Sequence, residues 1–171
     1  MLRRLRRLAV QEGGVFSYVH NTLGPGLARI GVIVALASRA DAEQLAGLGK
    51  QLAMHIAAAS PLYLDISSVP QSALDRERGV LLDQARASGR PEGVVEKMVE
   101  GRLRKFYEEV VLLEQIFVVD QKTRISGVVE QAGKAAGAPI RVTGFARFAL
   151  GEGIDRHRPD FAAEVAAQLK S

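Results

Sequence analysis

Residues 97–120, KMVEGRLRKFYEEVVLLEQIFVVD, change from a charged amphipathic pattern to an apolar run, and the expected architecture follows from that change. The apolar positions of the first part recur every three or four residues: Val99, Leu103, Phe106 and Val110. This spacing predicts a helix with a narrow apolar face. Because IFVV follows at 116–119, we expect a solvated helix that leads back into a globular body.

The segment just upstream predicts a matching helix. The same spacing occurs there, at Leu74, Arg78, Leu81, Ala85 and Ser88. Between the two runs, Gly89 can take a positive φ and end the first helix, and Pro91 suits the first turn of the second. Two such helices with a tight turn predict an antiparallel hairpin. Since each apolar face is too narrow for a core helix, we expect this hairpin, at about 69–112, to project from the body.

Strand-like segments on both sides of the hairpin predict a small sheet. VFSYVH at 15–20 alternates, and RIGVIVAL at 29–36 is a β-branched run, so these two are expected to pair antiparallel. GPG at 24–26 predicts a turn or loop, and we expect the whole connection between the two strands to be long. IRVTGFARFAL at 140–150 predicts a third strand, although its alternation is irregular.

Helical patterns complete the fold class. One helix is expected from Asp41, a good N-cap, to just before Pro61, and a shorter one within 122–137. A last helix begins near Pro159, with alanines beside its apolar face. The prediction is α+β: a small antiparallel sheet of about three strands backed by helices, with an inserted antiparallel helical hairpin and a C-terminal helix.

The composition limits which functions the chain can have. The 171 residues, 47% apolar and 25% charged, suit one domain or one domain with an appendage. There is no Cys, and His20, His55 and His157 lack metal-ligand spacing, so no metal or cofactor is expected. No apolar run approaches the roughly 20 residues of a membrane span, so we expect no membrane partner and a cytoplasmic chain.

The sequence contains none of the common catalytic motifs. G-x-S-x-G, H-E-x-x-H and a Walker A loop are all missing, which favours a non-catalytic binding protein that carries an arm. The basic residues concentrate in MLRRLRRL at 1–8. This start is either the end of an element that continues upstream, a targeting segment or the arm of an RNA-binding module. A net charge of +4 and 5% aromatic residues favour no direct nucleic-acid contact, with RNA binding as the alternative.

Six segments together carry a family resemblance: SYVH, RIGVIVAL, AMHIAAASP, KMVEGRLRKF, VTGFARFALGEGI and DFAAEVAAQ. In this order they resemble bacterial elongation factor Ts, the guanine-nucleotide exchange factor of elongation factor Tu. The resemblance runs from about Val15 to the end of the chain. HNTLGPGLARIG resembles the alphaproteobacterial branch, and Ile116 stands where the family usually has Pro.

The resemblance implies a domain organisation. The chain would carry the second half of a two-part core, at 14–68 and 113–151. The hairpin at 69–112 resembles the protruding coiled coil of the family. Residues 1–13 resemble a remnant of the segment upstream, and 152–171 resemble the C-terminal module.

The resemblance also implies partner-binding residues. His20 matches a histidine that approaches the nucleotide domain of elongation factor Tu. His55, Phe117, Val118 and Val119 match positions that touch its third domain. The C-terminal helix would lie against the nucleotide domain through a further set of residues: Asp160, Phe161, Ala162, Ala163 and Val165.

Two parts of the family pattern are missing from this sequence, namely the N-terminal helical domain and the first half of the core with its TDFV motif. We therefore expect a fragment or a short form that binds elongation factor Tu but stimulates nucleotide exchange weakly. The missing half would leave apolar sheet surface exposed, so self-association through the half-core or the hairpin is expected as well.

Overall fold

The computed structural model describes residues 3–154, except 88 and 90. Its elements in chain order are β1 (Gly13–Gly24), β2 (Leu27–Ala37), α1 (Ala42–Ala59), α2 (Gln71–Ala87), α3 (Glu92–Val110), α4 (Ile125–Ala136) and β3 (Arg141–Ala149). Short 3-10 turns lie at Ile66–Ser68 and Leu112–Glu114. This is the predicted α+β architecture. The helix expected after Pro159 lies outside the described residues.

The three strands form one antiparallel sheet in the order β1-β2-β3. The predicted pairing of the first two strands is confirmed, but the predicted long loop between them is wrong. Gly24 pairs with Leu27, so only Pro25 and Gly26 lie in the turn. Gly26 has a φ of 71°, and Pro followed by a Gly with positive φ fits the central positions of a type II turn. The hairpin is therefore tight and its strands are long.

A bulge in β3 explains the irregular alternation of that segment. The register shifts between Ala35 and Leu36 of β2, which leaves Thr143 without a paired residue. One extra residue reverses the alternation of side chains between the two faces. As a result Val142 and Phe145 both contribute to the main core, although they are three positions apart.

Helix α1 covers one face of the sheet. Asp41 caps it as predicted, since its carboxylate accepts a hydrogen bond of 2.8 Å from the N–H of Glu43. The helix ends at Ser60, which has a φ of 52° and directly precedes Pro61. Its buried apolar face consists of Leu45, Leu48, Leu52, Ala53 and Ile56.

A glycine lets α1 approach the sheet closely. A Cβ on Gly49 would lie 2.2 Å from the nearest ring carbon of Phe16, which is far inside van der Waals contact. The Phe16 ring on β1 thus fills the space that a side chain on Gly49 would need. This contact joins the edge strand to the helix.

Helices α2 and α3 form the predicted antiparallel hairpin. They pack over an apolar cluster that is separate from the main core: Leu81, Val95, Val99 and Leu103. Gly89 has a φ of 67° and follows α2, as expected. Pro91 is the N-cap of α3 rather than a residue of its first turn. Arg78 was expected on the apolar face but is exposed. Its charged guanidinium stays hydrated when the side chain points away from the contact between α2 and α3.

The two ends of the hairpin meet at a hydrogen-bonded root. The N–H of Tyr63 donates to the carbonyl oxygen of Val110 at 3.0 Å, and the N–H of Leu112 donates to the carbonyl oxygen of Tyr63 at 2.8 Å. Arg124, just before α4, forms ion pairs with Glu108 and Glu114. These contacts fix the point where the chain re-enters the body.

Helix α4 follows the root and packs on the main core. Ile125 and Val129 are buried, while Val128 and Ala132 are partly buried against the same cluster, as the predicted face required. The helix ends at Gly137, which has a φ of 65°. None of the helices in the described part of the chain is both long and apolar enough to cross a membrane.

Candidate functional site

A closed loop at 116–124 connects the hairpin root to α4. Its ends are joined by a hydrogen bond of 2.9 Å from the N–H of Ile125 to the carbonyl oxygen of Gln115. Within it, the N–H of Phe117 donates to the carbonyl oxygen of Thr123, and the carbonyl oxygen of Phe117 accepts from the N–H of Gln121, each at 2.8 Å. The backbone of the loop is therefore fixed by main-chain bonds.

Asp120 closes the tip of this loop. Its carboxylate accepts hydrogen bonds from the N–H groups of Lys122 at 3.0 Å and Thr123 at 3.1 Å. Hydrogen bonding from the Thr123 side chain, reinforced by these N–H groups, lowers the pKa of Asp120 below its usual range. The carboxylate is therefore ionised at neutral pH and available to hold the turn.

The loop turns Phe117 inward, whereas its other apolar residues, Ile116, Val118 and Val119, are exposed. The Phe117 side chain is buried in the main core. Val118 is 38% exposed and Val119 is 58% exposed. The apolar run of residues 116–119 is thus only partly buried, and its two valines form an exposed apolar pair, which we call the valine pair.

The buried imidazole of His55 supports the loop from beneath. His55 is 0% exposed, and its ring centroid lies 6.0 Å from that of Phe117. Its Nδ1 accepts a hydrogen bond from the backbone N–H of Val118 at 3.3 Å. Its Nε2 lies 2.9 Å from the side-chain oxygen of Gln115. In this chain His55 therefore acts as an internal support for the backbone beside the valine pair.

These contacts define the protonation state of His55. An amide oxygen can only accept, so Nε2 must carry the hydrogen, and Nδ1 must be unprotonated to accept from Val118. Burial lowers the pKa of His55 below its ordinary value of 6.5, against a smaller raising effect of the Gln115 hydrogen bond. His55 is consequently the neutral Nε2–H tautomer at neutral pH.

His20 lies on β1. Its Nδ1 is 3.1 Å from the hydroxyl of Tyr18, two residues earlier on the same strand. The side chain is exposed, and its strand partner is Ile30 of β2. His20 is thus a solvent-facing group on an edge strand and does not take part in the His55 network.

The structure brings together part of the predicted set. His55, Phe117 and Val118 lie in mutual contact, and Val119 follows at the exposed side of the loop. The remaining predicted positions lie outside the described residues: Asp160, Phe161, Ala162, Ala163 and Val165. Sequence reasoning missed Gln115, whose signal was a polar residue within an apolar run.

The described residues offer no metal centre, because within 3–154 no three His, Asp or Glu side chains come together in a way that could hold an ion. Two arginines of the Arg-rich start contact the end of β3 and the turn that follows it. Arg4 forms an ion pair of 3.3 Å with Glu152, and its guanidinium lies 4.7 Å from the centre of the Phe148 ring. Arg3 donates to the carbonyl oxygens of Glu152 and Gly153.

Comparison with known proteins decides the family. The sequence model described as "Elongation factor TS" matches residues 1–152. The chain belongs to the elongation factor Ts family. The hairpin and the loop described above therefore belong to the architecture of a translation elongation factor family.

Curated relatives named elongation factor Ts match nearly the whole chain. The protein of Rhodospirillum rubrum is 62% identical over 169 residues, which are 99% of this chain and 55% of that protein. The protein of Rhodospirillum centenum is 63% identical over 166 residues (97% and 54%), and that of Brucella ovis is 51% identical over 168 residues (98% and 55%). These sources confirm the predicted alphaproteobacterial resemblance. The chain spans about half the length of the curated relatives it matches.

Proposed function

We propose that this chain binds elongation factor Tu, the partner that the family resemblance implies, and that the valine pair is part of the contact surface. The observation that supports this proposal is that Val118 and Val119 are exposed on a loop whose backbone is fixed by hydrogen bonds. One of these bonds is to the buried imidazole of His55. A partner can bury such side chains without first ordering the loop, which lowers the entropic cost of binding. His20, exposed on β1, is proposed as a second contact, with the nucleotide domain.

The domain organisation implied by the resemblance is part of the same proposal. Segments 14–68 and 113–151 form the core half, and 69–112 form the inserted hairpin. The apolar cluster of the hairpin, separate from the main core, and its hydrogen-bonded root support this division. Segments 1–13 and 152–171 are proposed as an upstream remnant and a partner-binding C-terminal module.

For nucleotide exchange, we propose that this chain has a reduced activity. An exchange factor that binds the nucleotide-free partner more tightly must lower the affinity of that partner for nucleotide by the same factor. The TDFV motif that disturbs the nucleotide site in the family does not occur in this sequence. We therefore infer that this chain anchors on elongation factor Tu in the cytoplasm but releases GDP weakly, as a binding protein without catalytic chemistry of its own.

Two measurements test this proposal. Binding is measured by titrating immobilised elongation factor Tu with the chain, and exchange by the release rate of a fluorescent GDP analogue. We expect saturable binding together with a release rate far below that given by a full-length relative. Release at the rate of the full-length relative would contradict the reduced activity, and absence of binding would contradict the proposed partner.

RNA binding by the Arg-rich start is the alternative function. Two of its four arginines, Arg3 and Arg4, already contact Glu152, Gly153 and the Phe148 ring, which leaves a smaller basic surface for RNA. If RNA were the ligand, the affinity would fall steeply between about 50 and 200 mM salt, because phosphate contacts release counterions. Salt-sensitive binding of a single-stranded RNA in this range would therefore favour the alternative.

Self-association is a further element of the proposal. β1 is an edge strand of the sheet, and Val15 and Val19 on it are exposed. Open strand edges with apolar side chains favour association between copies. Light scattering should then give a mass above the 18.4 kDa of a single chain, and a mass of 18.4 kDa at all concentrations would contradict it.

A further inference from the structure

We propose that Gln115 is a positioning residue for the partner surface, because it ties the root of the helical hairpin to the imidazole that holds the valine pair. This inference rests on the proposed binding function. It assigns no partner contact to Gln115 itself, which is 4% exposed. Its role is to fix His55, and through His55 the backbone of Val118.

Gln115 connects three elements through hydrogen bonds. Its side-chain NH₂ donates to the carbonyl oxygen of Glu109 in the last turn of α3 at 2.7 Å. Its side-chain oxygen accepts from Nε2 of His55 on α1. Its main-chain oxygen accepts from the N–H of Ile125, the first residue of α4. A displacement at the hairpin root can therefore reach His55 and the 116–124 loop through this side chain, in addition to the ion pairs of Arg124 with Glu108 and Glu114.

The chemistry of this position requires an amide. The NH₂ group of Gln115 donates to the carbonyl oxygen of Glu109. The amide oxygen of the same side chain therefore faces the imidazole of His55. His55 must then donate from Nε2, and its Nδ1 stays free to accept from Val118. Gln115 thus selects the tautomer that holds the loop.

Two substitutions separate the roles of the amide. In Gln115→Glu the carboxylate cannot donate to the Glu109 carbonyl, and its charge favours the imidazolium form of His55. An imidazolium carries a hydrogen on Nδ1, which would face the N–H of Val118. In Gln115→Met the shape is similar, but both hydrogen bonds are lost. Both variants should therefore release the backbone beside the valine pair, and only the Glu variant should raise the pKa of His55.

The decisive experiment observes the His55 ring directly. In the full chain labelled with ¹⁵N-histidine, we expect the shifts of a neutral ring protonated on Nε2 at neutral pH. Gln115→Glu should move His55 towards the imidazolium form and shift the amide resonance of Val118. Gln44→Glu, the same substitution at an exposed residue of α1, is the control that should leave both signals unchanged. A ring protonated on Nδ1 in the unsubstituted chain would overturn the inference without any variant.

Affinity measurements test whether this hydrogen-bond network affects binding of the partner. Both Gln115 variants should bind elongation factor Tu about tenfold more weakly, the scale of one lost hydrogen bond to the loop, while the Gln44 control binds normally. Normal affinity in a variant whose Val118 amide has shifted would overturn the positioning role. If the unsubstituted chain does not bind elongation factor Tu at all, the proposed function fails, whereas the histidine spectra still decide whether Gln115 sets the tautomer.

Discussion

The ring of Phe16 occupies the space beside Gly49 where any other residue would place its Cβ, 2.2 Å from the nearest ring carbon. Gly49→Ala should therefore destabilise the chain by about 1–3 kcal/mol, the usual cost of overpacking a core. For a chain of this size that corresponds to a fall in Tm of very roughly 2–12 °C, measured by thermal unfolding.

Gly47 provides the matched control for that substitution. It lies in the same helix and is exposed, and outside the helix's own backbone no atom lies within 4 Å of the position that its Cβ would take. Gly47→Ala should stabilise the chain by about 0.5–1 kcal/mol, because alanine loses less backbone entropy in a helix. Equal effects of the two substitutions would contradict the close contact between Gly49 and Phe16.

Ser60 ends α1 in a conformation that favours glycine. Its φ of 52° and ψ of 48° are left-handed, and its side chain is exposed. Ser60→Gly should raise the free energy of unfolding by about 0.5–1 kcal/mol, since only glycine adopts this region without steric cost. Ala58→Gly, two residues earlier within the helix, should lower it by a similar amount. Two effects of the same sign in denaturant titrations would argue against the helix end at Ser60.

The buried imidazole makes stability depend on pH. In the unfolded chain His55 gains a proton near 6.5, and in the folded chain at a lower pH, because burial lowers its pKa. Between these values the unfolded state binds more protons, so the free energy of unfolding falls as the pH is lowered from 6.5 towards the folded pKa. Above 6.5 this contribution is constant. Urea titrations across this range, with the His55 ring followed by NMR, check the sign, and a folded His55 that titrates above 6.5 would contradict it.

A further prediction concerns the helix expected after Pro159, and it rests on the sequence and the resemblance. Phe161 is spaced with Val165 and Leu169 to form one apolar face, with alanines beside it. If this face docks on elongation factor Tu, Phe161→Ala should weaken binding at least about tenfold, as at an interface hot spot, with little change in Tm. A large fall in Tm with unchanged affinity would show that the helix belongs to the fold.

Local patterns predicted much of this fold because they act over short distances along the chain. The apolar spacing around Val99 and Leu103 predicted α3, and Asp41 predicted the start of α1 through its capping chemistry. Local patterns gave a wrong prediction for the connection between β1 and β2. The sequence GPG at 24–26 suits a long loop as well as a tight turn, and only the pairing of the flanking strands distinguishes them.

The residues that support the candidate site could not be predicted from the sequence, for a different reason. His55 and Gln115 are 60 positions apart, and nothing in the pattern around either residue indicates the other. The bulge at Thr143 is likewise visible only once β3 is paired with β2. The valine pair was found through the resemblance to the family, whereas its attachment to a buried imidazole required the three-dimensional structure.

The valine pair gives the most direct test of the proposed function. Elongation factor Tu is titrated by calorimetry with the unsubstituted chain and with Val119→Asp, which places a charge on the exposed side of the loop. We expect saturable binding that weakens at least about tenfold in the variant, with an unchanged Tm, because a charge cannot be buried unpaired at an apolar contact. Equal affinity of the two chains, or no binding by either, would contradict the account.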